Sequence, residues 1–490
     1  MLAALSLAAC VSVTAEPVGP QWQHVQNGQT YEVTDRFGPD VLTYRVHWDR
    51  FVLNEAQDGV ASTISGTAYL RTCDCAPSER PVVFLFNGGP GASSSPLHFA
   101  LGPHARDRGA ASFPENPDTI LRGADLVFID PVETGFSRAA ASDGKSRYLG
   151  VDGDVEAVSA FIQNWMTAHG RDGAPVFILG QSYGGFRLAK LLPHAGEMNV
   201  RGLIMISPML NPGAGASDLG NVFALPTMAA TAWRFGKSSL DVANEAEAWE
   251  AARQFSETEL LVGLEQGDRI GAAEKIRLAR EIAGMIGLNA DSVAQANLRV
   301  DIQDFLEKLL ASEELLVSRL NTAKTEAVKP APSNPDRPAA ANDPSLGLGR
   351  SNKILATDIA AYLKDMTGLE QGEDYRSLNL DANFAWNWSS TNQPLFHVDA
   401  TPMVAEFMRA EPETRLLVFG GYRDLATPLL ATRYALTHGG LPQARVDFEM
   451  LPSGHSPFDE DTLKAPFSER IHTFIQAIMA EDAATGGQSR

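Results

Sequence analysis

The 490-residue chain has few basic residues, few cysteines and no long apolar run. It contains 40 Lys and Arg residues and 60 Asp and Glu residues, which gives a net charge of −20. Nucleic-acid binding requires a basic patch, so this balance argues against a nucleic-acid partner. No stretch beyond the N-terminal region is long enough to span a membrane. The pair Cys73 and Cys75 supplies too few ligands for a zinc site, and no pattern predicts a metal or nucleotide cofactor.

The N-terminal segment 1–19 resembles an export signal. Met1–Ala9 is small and apolar and is followed by Cys10, as in a bacterial lipobox whose cysteine becomes the lipidated N-terminus. The alternative is ordinary signal cleavage after Ala15. Both alternatives predict an exported protein, which is periplasmic or tethered to a membrane through lipidated Cys10.

The two remaining cysteines, Cys73 and Cys75, form a C-x-C pair just before a strand-like segment. In an oxidising compartment this pair could close a small disulfide ring. Two free thiols are the alternative, and the sequence leaves both open.

The most informative stretch is Gly180–Gly185, which reads GQSYGG. The apolar run Pro175–Leu179 precedes it, and Phe186–Leu192 follows it with helical spacing. Taken alone, the pattern could be a surface turn. Between a strand and a helix, however, G-x-S-x-G is the nucleophile elbow of the α/β-hydrolase fold, whose serine lies on a tight turn above the sheet. Ser182 is therefore the candidate nucleophile.

Two C-terminal segments supply the partners that a serine nucleophile requires. Asp424 follows the strand-like run Leu416–Phe419, and His455 follows the alternating segment Val446–Leu451. The chain order of serine, acid and histidine is that of α/β-hydrolases. His455 would take the serine proton during attack, while Asp424 would hold the imidazole tautomer. The other nine histidines lie too early in the chain or on other elements.

A glycine-rich loop upstream is placed to help stabilise an oxyanion. The strand-like run Pro81–Phe86 leads into Asn87–Ser95, which reads NGGPGASSS. In α/β-hydrolases a loop at this position supplies one oxyanion donor, and the residue after the nucleophile supplies the other. The second donor is here the backbone N–H of Tyr183. Each such donor contributes about 3 kcal/mol to transition-state stabilisation.

Together these motifs resemble those of the serine carboxypeptidase family. The family's signature loop N-G-G-P-G-[CS]-S-S is similar to Asn87–Ser94, and its elbow G-E-S-Y-[AG]-G is similar to Gly180–Gly185. Its segment D-Q-P-x-G-x-G-F-S is similar to Asp130–Ser137, with one residue missing. The resemblance extends from about Tyr44 to about Ile478.

The resemblance implies a catalytic triad of Ser182, Asp424 and His455, with Gly89 and Tyr183 as the oxyanion hole.

The resemblance also implies that Asn87 and Gln181 bind the terminal carboxylate of a peptide substrate. The family has glutamate at the elbow position that Gln181 occupies here. A glutamate must be protonated to bind a carboxylate, because two adjacent carboxylates repel each other. Glutamine is neutral and always offers N–H donors, so carboxylate recognition is expected to persist at neutral pH. Alternatively, Gln181 marks a loss of exopeptidase preference.

The segments between the motifs predict an α/β fold with a mostly parallel central sheet. Residues 44–48 and 63–70 predict an antiparallel opening pair, after which strands and helices alternate. The predicted later strands are 81–86, 125–129, 175–179, 202–206, 415–419 and 445–451. We expect an α/β-hydrolase core formed by 20–209 and 396–490.

Residues 210–395 are too many for a loop and predict a mainly helical cap over the active site. The segments with helical spacing are Ser239–Gln254, Glu257–Glu265, Ala272–Ile286 and Ser292–Thr322. The Pro-rich stretch Lys329–Pro344 predicts an exposed loop. Trp386 and Trp388 are expected either to line the cleft or to pack the cap.

The sequence thus predicts an exported serine-type carboxypeptidase that cleaves peptides through an acyl-enzyme and needs no cofactor. A serine esterase or acyltransferase with the same triad is the alternative. A catalytically inactive binding protein is a third class, which the complete set of triad residues argues against.

Overall fold

The computed structural model of the chain describes most of its residues: 23–26, 30–37, 40–55, 59–107, 109–110, 112–140, 143–328, 336–337, 342–343, 346–370, 372–390 and 398–486. The export-signal segment 1–19, with Cys10, lies outside the described residues, as do most of the predicted loop Lys329–Pro344 and the predicted boundary at residue 396.

The strands of the described residues fall into one large sheet and two small ones. Their bounds are β1 Gln23–Gln26, β2 Tyr31–Phe37, β3 Asp40–Glu55, β4 Ala61–Arg71, β5 Val82–Phe86, β6 Asp125–Asp130, β7 Val176–Gln181, β8 Val200–Ile206, β9 Leu315–Val317, β10 Thr325–Ala327, β11 Lys353–Leu355, β12 Arg376–Asn379, β13 Arg415–Gly421 and β14 Val446–Leu451. The large sheet has the order β1-β3-β4-β6-β5-β7-β8-β13-β14, with β2 beside β3.

The central sheet is mostly parallel, as the sequence predicted. Neighbouring strands from β6 through β5, β7, β8 and β13 to β14 pair in parallel. The opening strands β1 to β4 pair antiparallel, and β4 joins the parallel part through an antiparallel contact with β6. The predicted antiparallel opening pair is therefore confirmed.

Continuous apolar sequence explains why the middle strands lie at the centre of the molecule. All residues of β5, β6 and β7 are buried, because helices cover both faces of a parallel sheet. Each large apolar side chain buried in this way contributes about 1.5–3 kcal/mol relative to exposure. The bounds of the six parallel strands differ from the predicted ones by no more than two residues at either end, whereas β3 is longer than the predicted segment 44–48 at both ends.

The helices connect the strands and fill the long segment between β8 and β13. Their bounds are α1 Ser95–Leu101, α2 Asp143–Tyr148, α3 Val151–Ala168, α4 Tyr183–Leu191, α5 Pro212–Gly215, α6 Leu219–Arg234, α7 Glu245–Phe255, α8 Leu261–Gln266, α9 Ala272–Ile286, α10 Ala290–Gln295, α11 Ile302–Lys308, α12 Thr357–Thr367, α13 Leu380–Phe384, α14 Thr401–Ala410, α15 Leu429–His438 and α16 Lys464–Gly486. Among the described residues no helix is both long and apolar enough to cross a membrane.

The long helix predicted over Ser292–Thr322 is wrong. It is divided into α10 and α11, and the segment continues as β9. Asn297 and Leu298 adopt φ values of 51° and 67°, a left-handed conformation that ends the first helix. Asp301 then starts α11 by accepting the N–H of Asp304. Apolar spacing alone did not reveal these interruptions.

The other helices between β8 and β13 agree better with the sequence. The predicted helix Ala272–Ile286 is confirmed as α9. The helix predicted from Ser239 begins only at Glu245, because Asn244 caps it by accepting the N–H of Glu247. The division of the chain into core and cap remains a prediction.

The segment between β8 and β13 touches the loop that follows β5. Asn379 donates its N–H to the Gly91 carbonyl oxygen at 2.8 Å, and Leu378 forms a β-bridge with Ala92. Residues of β12 therefore support the glycine-rich loop.

Cys73 and Cys75 are bonded to each other, so of the two alternatives that the sequence left open the structure contains the disulfide.

Candidate active site

Ser182 occupies a sharp turn between β7 and α4. Its φ of 60° and ψ of −125° are rare for a residue with a side chain, and such strain is typical of functional sites. Its N–H donates to the Ile206 carbonyl oxygen at 2.9 Å, which fixes the turn to β8. A Cβ at Gly180 would overlap the Gly184 carbonyl group, so only glycine fits there. The half-buried Ser182 is left accessible at the carboxyl edge of the sheet.

His455 and Asp424 form the expected hydrogen-bonded pair. His455 Nδ1 donates to Asp424 Oδ2 at 2.7 Å, because an ionised carboxylate can only accept. This bond leaves His455 Nε2 as the acceptor that a general base needs. Asp424 is fully buried, and its Oδ1 accepts the N–H groups of Ala426 and Thr427 at 2.8 and 3.1 Å.

Two contacts that the sequence did not reveal hold this pair in place. The Thr427 hydroxyl oxygen lies 2.6 Å from Asp424 Oδ2 and 3.3 Å from His455 Nδ1. The His455 N–H donates to the Leu320 carbonyl oxygen at 2.7 Å, which ties the histidine loop to the segment after β9. A threonine three residues after the acid was the available signal for the first contact.

The glycine-rich loop lies directly against the elbow. A Cβ at Gly88 would lie 2.8 Å from the Gln181 carbonyl oxygen and from the Gly184 nitrogen, so the loop can approach only because position 88 is glycine. No acceptor among the described residues is bonded to the N–H of Gly89 or of Tyr183. Tyr183 begins α4, where N–H groups are unpaired and the helix dipole is positive. Both remain the predicted oxyanion donors.

Asn87 and Gln181 are hydrogen-bonded to each other and to the histidine loop. Leu97 donates its N–H to Asn87 Oδ1 at 3.3 Å, so Asn87 Nδ2 faces Gln181 and donates to its Oε1 at 2.5 Å. Gln181 Nε2 then donates to the His455 carbonyl oxygen at 3.0 Å and to Ser456 Oγ at 2.9 Å. Both amide side chains are buried. Gln181 thus connects the elbow to the loop that carries the base, and carboxylate binding remains a prediction.

A buried ion pair that the sequence argument missed lies beneath the elbow. Arg187 Nε donates to Asp154 Oδ2 at 2.6 Å, and Arg187 Nη1 donates to the Asn87 carbonyl oxygen at 2.6 Å. The two charged side chains are 0% and 2% exposed. The guanidinium also lies 5.1 Å from the centre of the Tyr183 ring. An arginine within the otherwise mostly apolar helix after the elbow was the available signal.

The two tryptophans left open by the sequence pack against the elbow. The rings of Trp386 and Trp388 meet the Tyr183 ring edge-on, with centroids 5.4 and 5.6 Å apart. Trp388 also lies 6.3 Å from the Phe186 ring. These contacts favour the packing role.

Asp130 anchors the helix that follows the glycine-rich loop. Its carboxylate accepts the N–H and the hydroxyl of Ser94 at 2.8 and 2.7 Å, and the Tyr375 hydroxyl at 3.3 Å. Burial raises the pKa of Asp130 to about 6, although these hydrogen bonds lower it in part. The motif Asp130–Ser137 therefore has a structural connection to the loop.

Two cavities adjoin the elements of the site. One, of about 480 Å³, is lined by α1 and by the turn after the histidine loop, including Ser95 and Phe458. The other, of about 380 Å³, is lined by the segment after β8 and by the loop of Asp424, including Met209 and Thr427. The lining of the first cavity includes residues that follow β5, and that of the second includes residues that follow β8, the two neighbours of β7. Ser182, Asp424 and His455 line neither cavity.

The arrangement suits acyl transfer. Ser182, Asp424 and His455 lie on loops at the carboxyl ends of β7, β13 and β14, where parallel strands deliver their active residues. A nucleophile, a base held by a carboxylate and two unpaired N–H groups are the parts that this chemistry requires.

Comparison with known proteins relates part of the chain, including the glycine-rich loop and the elbow, to one family. Residues 69–222 match the model of the serine carboxypeptidase family. Serine carboxypeptidase-like 36 of Arabidopsis thaliana is 34% identical over 143 residues, which are 27% of this chain and 29% of that protein. Serine carboxypeptidase-like 37 of the same plant is 32% identical over 145 residues, or 27% of this chain and 30% of that protein. The chain therefore matches about three tenths of the length of these relatives.

Comparison of structures establishes the fold over a longer range. A prohormone-processing carboxypeptidase of Saccharomyces cerevisiae, Kex1(Δ)p, aligns with a TM-score of 0.53 at 14% identity, covering 88% of this chain and 91% of that one. The protein has the α/β-hydrolase fold, and the matched segment supports the serine carboxypeptidase family.

Proposed function

We propose that this protein is a serine carboxypeptidase that releases C-terminal amino acids from peptides. The observation that carries the proposal is the pair of buried amides, Asn87 and Gln181, placed between the nucleophile and the histidine loop. Hydrolysis of an ester requires only the triad and the oxyanion donors. Amide N–H groups beside them suit a substrate that ends in a carboxylate.

The reaction proceeds through an acyl-enzyme. Ser182 attacks the last peptide bond while His455 Nε2 takes its proton, and the N–H groups of Gly89 and Tyr183 receive the developing oxyanion. The protonated His455 then gives its proton to the departing amine, and water releases the acyl group by the same steps in reverse. Asp424 holds the imidazole in the required tautomer throughout.

A serine esterase or acyltransferase is the second candidate, and one observation favours it. Gln181 Nε2 already donates to His455 and Ser456, so a substrate carboxylate would have to replace one of these acceptors. If that replacement does not occur, the same triad would act on esters without recognising a free C-terminus.

One experiment distinguishes the candidates. The purified protein is incubated with blocked dipeptides that carry a free C-terminus, with their C-terminal amides, and with a p-nitrophenyl ester. A carboxypeptidase cleaves the free-acid peptides much faster than the amides, whereas an esterase or acyltransferase turns over the ester alone.

A fluorophosphonate probe supplies the control for an inactive binding protein. Labelling of the native protein but not of Ser182→Ala assigns the reactive serine. No labelling of either protein would contradict both enzymatic proposals.

We further propose that the protein is an exported bacterial member of the family, periplasmic or tethered through a lipidated Cys10. The small apolar segment Met1–Ala9 supports export, and a Cys73–Cys75 disulfide suits an oxidising compartment. Mass spectrometry of the mature N-terminus tests this. A diacylated Cys10 or a new N-terminus near Glu16 is expected, and an intact Met1 in cells would contradict export.

A further inference from the structure

The cavity beside the Asp424 loop contains one arginine in an otherwise largely apolar wall. We call it the Arg319 cavity; its lining includes Met209, Leu210, Phe223, Ile302, Arg319 and Leu425. Its volume of about 380 Å³ is sufficient for a large amino-acid side chain. The apolar residues suit the aliphatic part of a substrate side chain. The arginine then determines which terminal group that side chain can carry.

The Arg319 cavity is lined by residues that are hydrogen-bonded to Ser182 and to Asp424, although neither of those two residues lines it. Met209 donates its N–H to the Ser182 carbonyl oxygen at 3.1 Å. Thr427, which also lines the cavity, is hydrogen-bonded to Asp424. Arg319 itself accepts the Leu425 N–H through its carbonyl oxygen at 3.0 Å. A side chain in this cavity would therefore belong to a residue bound at Ser182.

The Arg319 guanidinium has no acceptor within the described part of the chain. No ion pair or side-chain hydrogen bond involves it among those residues, and its Nε is buried without a partner. A buried donor without an acceptor is uncommon in native proteins and calls for an explanation. A ligand carboxylate, which can accept two N–H groups of a guanidinium at once, supplies the missing acceptors.

Two acidic residues lie near this arginine. Asp343 Oδ2 accepts the backbone N–H of Arg319 at 3.0 Å, and no ion pair between the two side chains is present among the described residues. Asp301 lies in the described wall of the cavity, but it is exposed and its carboxylate accepts the N–H of Asp304 at the start of α11. No ion pair joins Asp301 to Arg319 among the described residues.

The position of the cavity identifies the part of the substrate that enters it. Asn87 follows β5, and it is hydrogen-bonded to Gln181 at the end of β7; we call this pair of amides the β5 side of Ser182. The Arg319 cavity is lined by residues that follow β8 and β13, and we call it the β8 side. The departing C-terminal residue takes the first side. The residue before it, which becomes the acyl group on Ser182, takes the second.

We propose that the Arg319 cavity binds the side chain of the penultimate residue and that Arg319 selects an acidic side chain there, glutamate above its neutral isostere glutamine. This inference rests on the proposed carboxypeptidase function. It adds a substrate class to that function: peptides with an acidic residue next to the C-terminus.

The test compares kcat/KM for blocked dipeptides X-Ala, in which X is Glu, Gln, Leu or Lys. The native protein should prefer Glu over Gln by about tenfold or more, the scale of a hydrogen-bonded charge pair. Arg319→Met keeps an apolar stem, so it should reduce the Glu to Gln ratio to about 1 and lower kcat/KM for the Leu substrate by less than for the Glu substrate. Arg319→Lys should restore part of the preference.

Two further variants control for charge and position. Asp301→Asn retains the helix cap and removes the nearby negative charge, so it should raise the Glu to Gln ratio. Arg280→Gln removes an exposed arginine of α9 that does not line the cavity, so it should leave the ratio unchanged. A ratio near 1 in the native protein, or an equal loss for all four substrates in Arg319→Met, would overturn the inference.

A parallel series of blocked Glu and Gln α-p-nitrophenyl esters separates this inference from the proposed function. These esters share the acyl part with the peptides but carry no C-terminal residue. Preference for Glu in the esters without peptide cleavage would refute the carboxypeptidase and keep the acidic cavity. Peptide cleavage without a preference for Glu would keep the carboxypeptidase and refute the acidic cavity. No turnover of either series would overturn both proposals.

Discussion

The two sides of Ser182 present opposite forms of polar recognition. On the β5 side, Asn87 and Gln181 are buried and already bonded to each other, to His455 and to Ser456. On the β8 side, the Arg319 guanidinium has no acceptor among the described residues. The first side is satisfied without substrate, whereas on the second the Nε of the half-buried Arg319 is buried without an acceptor among the described residues.

This difference determines what a carboxylate gains on each side. At Gln181 the carboxylate must displace an existing acceptor. One hydrogen bond then replaces another, and the net gain in binding free energy is small. At Arg319 it supplies acceptors to a donor that has none, and the gain includes relief of that deficit. We therefore expect the β8 side to discriminate between side chains and the β5 side to transmit changes to the catalytic base.

The largest expected effect tests the premise that one triad serves both sides. Asp424→Asn keeps the shape of the buried acid but permits the wrong imidazole tautomer, and kcat should fall by about 10⁴-fold. Because Asp424 contacts neither substrate pocket directly except through Thr427, peptides and esters should lose activity equally. Steady-state kinetics on both substrate types measure this, and a loss confined to one type would disprove a shared triad.

The triad was accessible from sequence because each member lies next to a strongly patterned strand. Buried parallel strands appear as continuous apolar runs, and the residue that follows each one must lie at the same edge of the sheet. Thus Ser182, Asp424 and His455 could be assigned one at a time from local signals. The structure joins Asp424 and His455 by a hydrogen bond, and the catalytic role of the three residues stays a prediction.

The β8 side was not accessible in this way. The segment around Arg319 was predicted as part of a long helix, whereas it follows the short strand β9 and pairs with the loop of Asp424. Its role depends on contacts between residues that are distant in sequence, and periodicity carries no information about such contacts. The pair Arg187–Asp154 escaped notice for the same reason, since its members are 33 positions apart.

The second largest effect concerns the support of the β5 side. Arg187→Met leaves Asp154 buried without its partner and frees the Asn87 carbonyl, so the free energy of unfolding should fall by about 3–5 kcal/mol. The double variant Asp154→Leu, Arg187→Met should recover part of this loss. Urea denaturation measures both.

The exposed Arg269 provides the matched control, because Arg269→Met should change the free energy of unfolding by less than about 1 kcal/mol. In the Arg187→Met protein that remains folded, kcat for peptides should fall. The ratio of kcat/KM between the Glu and Gln substrates, which reports on the β8 side, should stay constant. A parallel change in that ratio would show that the two sides are not independent.

Asp130 gives a pH-dependent prediction on the same side. Its pKa is raised to about 6, so its protonated form stabilises the fold below about pH 4, and this stabilisation is lost as pH rises through 6. Asp130→Asn stays neutral at every pH. Between pH 4 and pH 7 the free energy of unfolding of the native protein should therefore fall by about 3 kcal/mol relative to that of Asp130→Asn. Denaturation at several pH values tests this, and a constant difference would contradict the raised pKa.

The smallest expected effect, about tenfold in kcat/KM, is the most informative about the β5 side. In Gln181→Glu, the Nε2 group that donates to the His455 carbonyl oxygen is replaced by a carboxylate oxygen, which repels that carbonyl unless it is protonated. Activity should therefore shift toward acidic pH. Carboxylate recognition by itself would produce this shift for peptides, because a glutamate binds their terminal carboxylate only when protonated, and would leave esters, which lack that carboxylate, nearly unaffected.

The geometry adds a shift that both substrates share, because Gln181 holds the loop of the base that both reactions use. The shift in pH profile that peptides and esters share measures the hydrogen bond from Gln181 to His455. The additional shift seen only for peptides measures recognition of the terminal carboxylate. Ser456→Ala is the control, since it removes one acceptor of Gln181 without adding charge and should alter neither pH profile. If Gln181→Glu leaves both profiles unchanged, Gln181 neither positions His455 nor meets the substrate, and recognition of the free C-terminus must lie outside the paired amides.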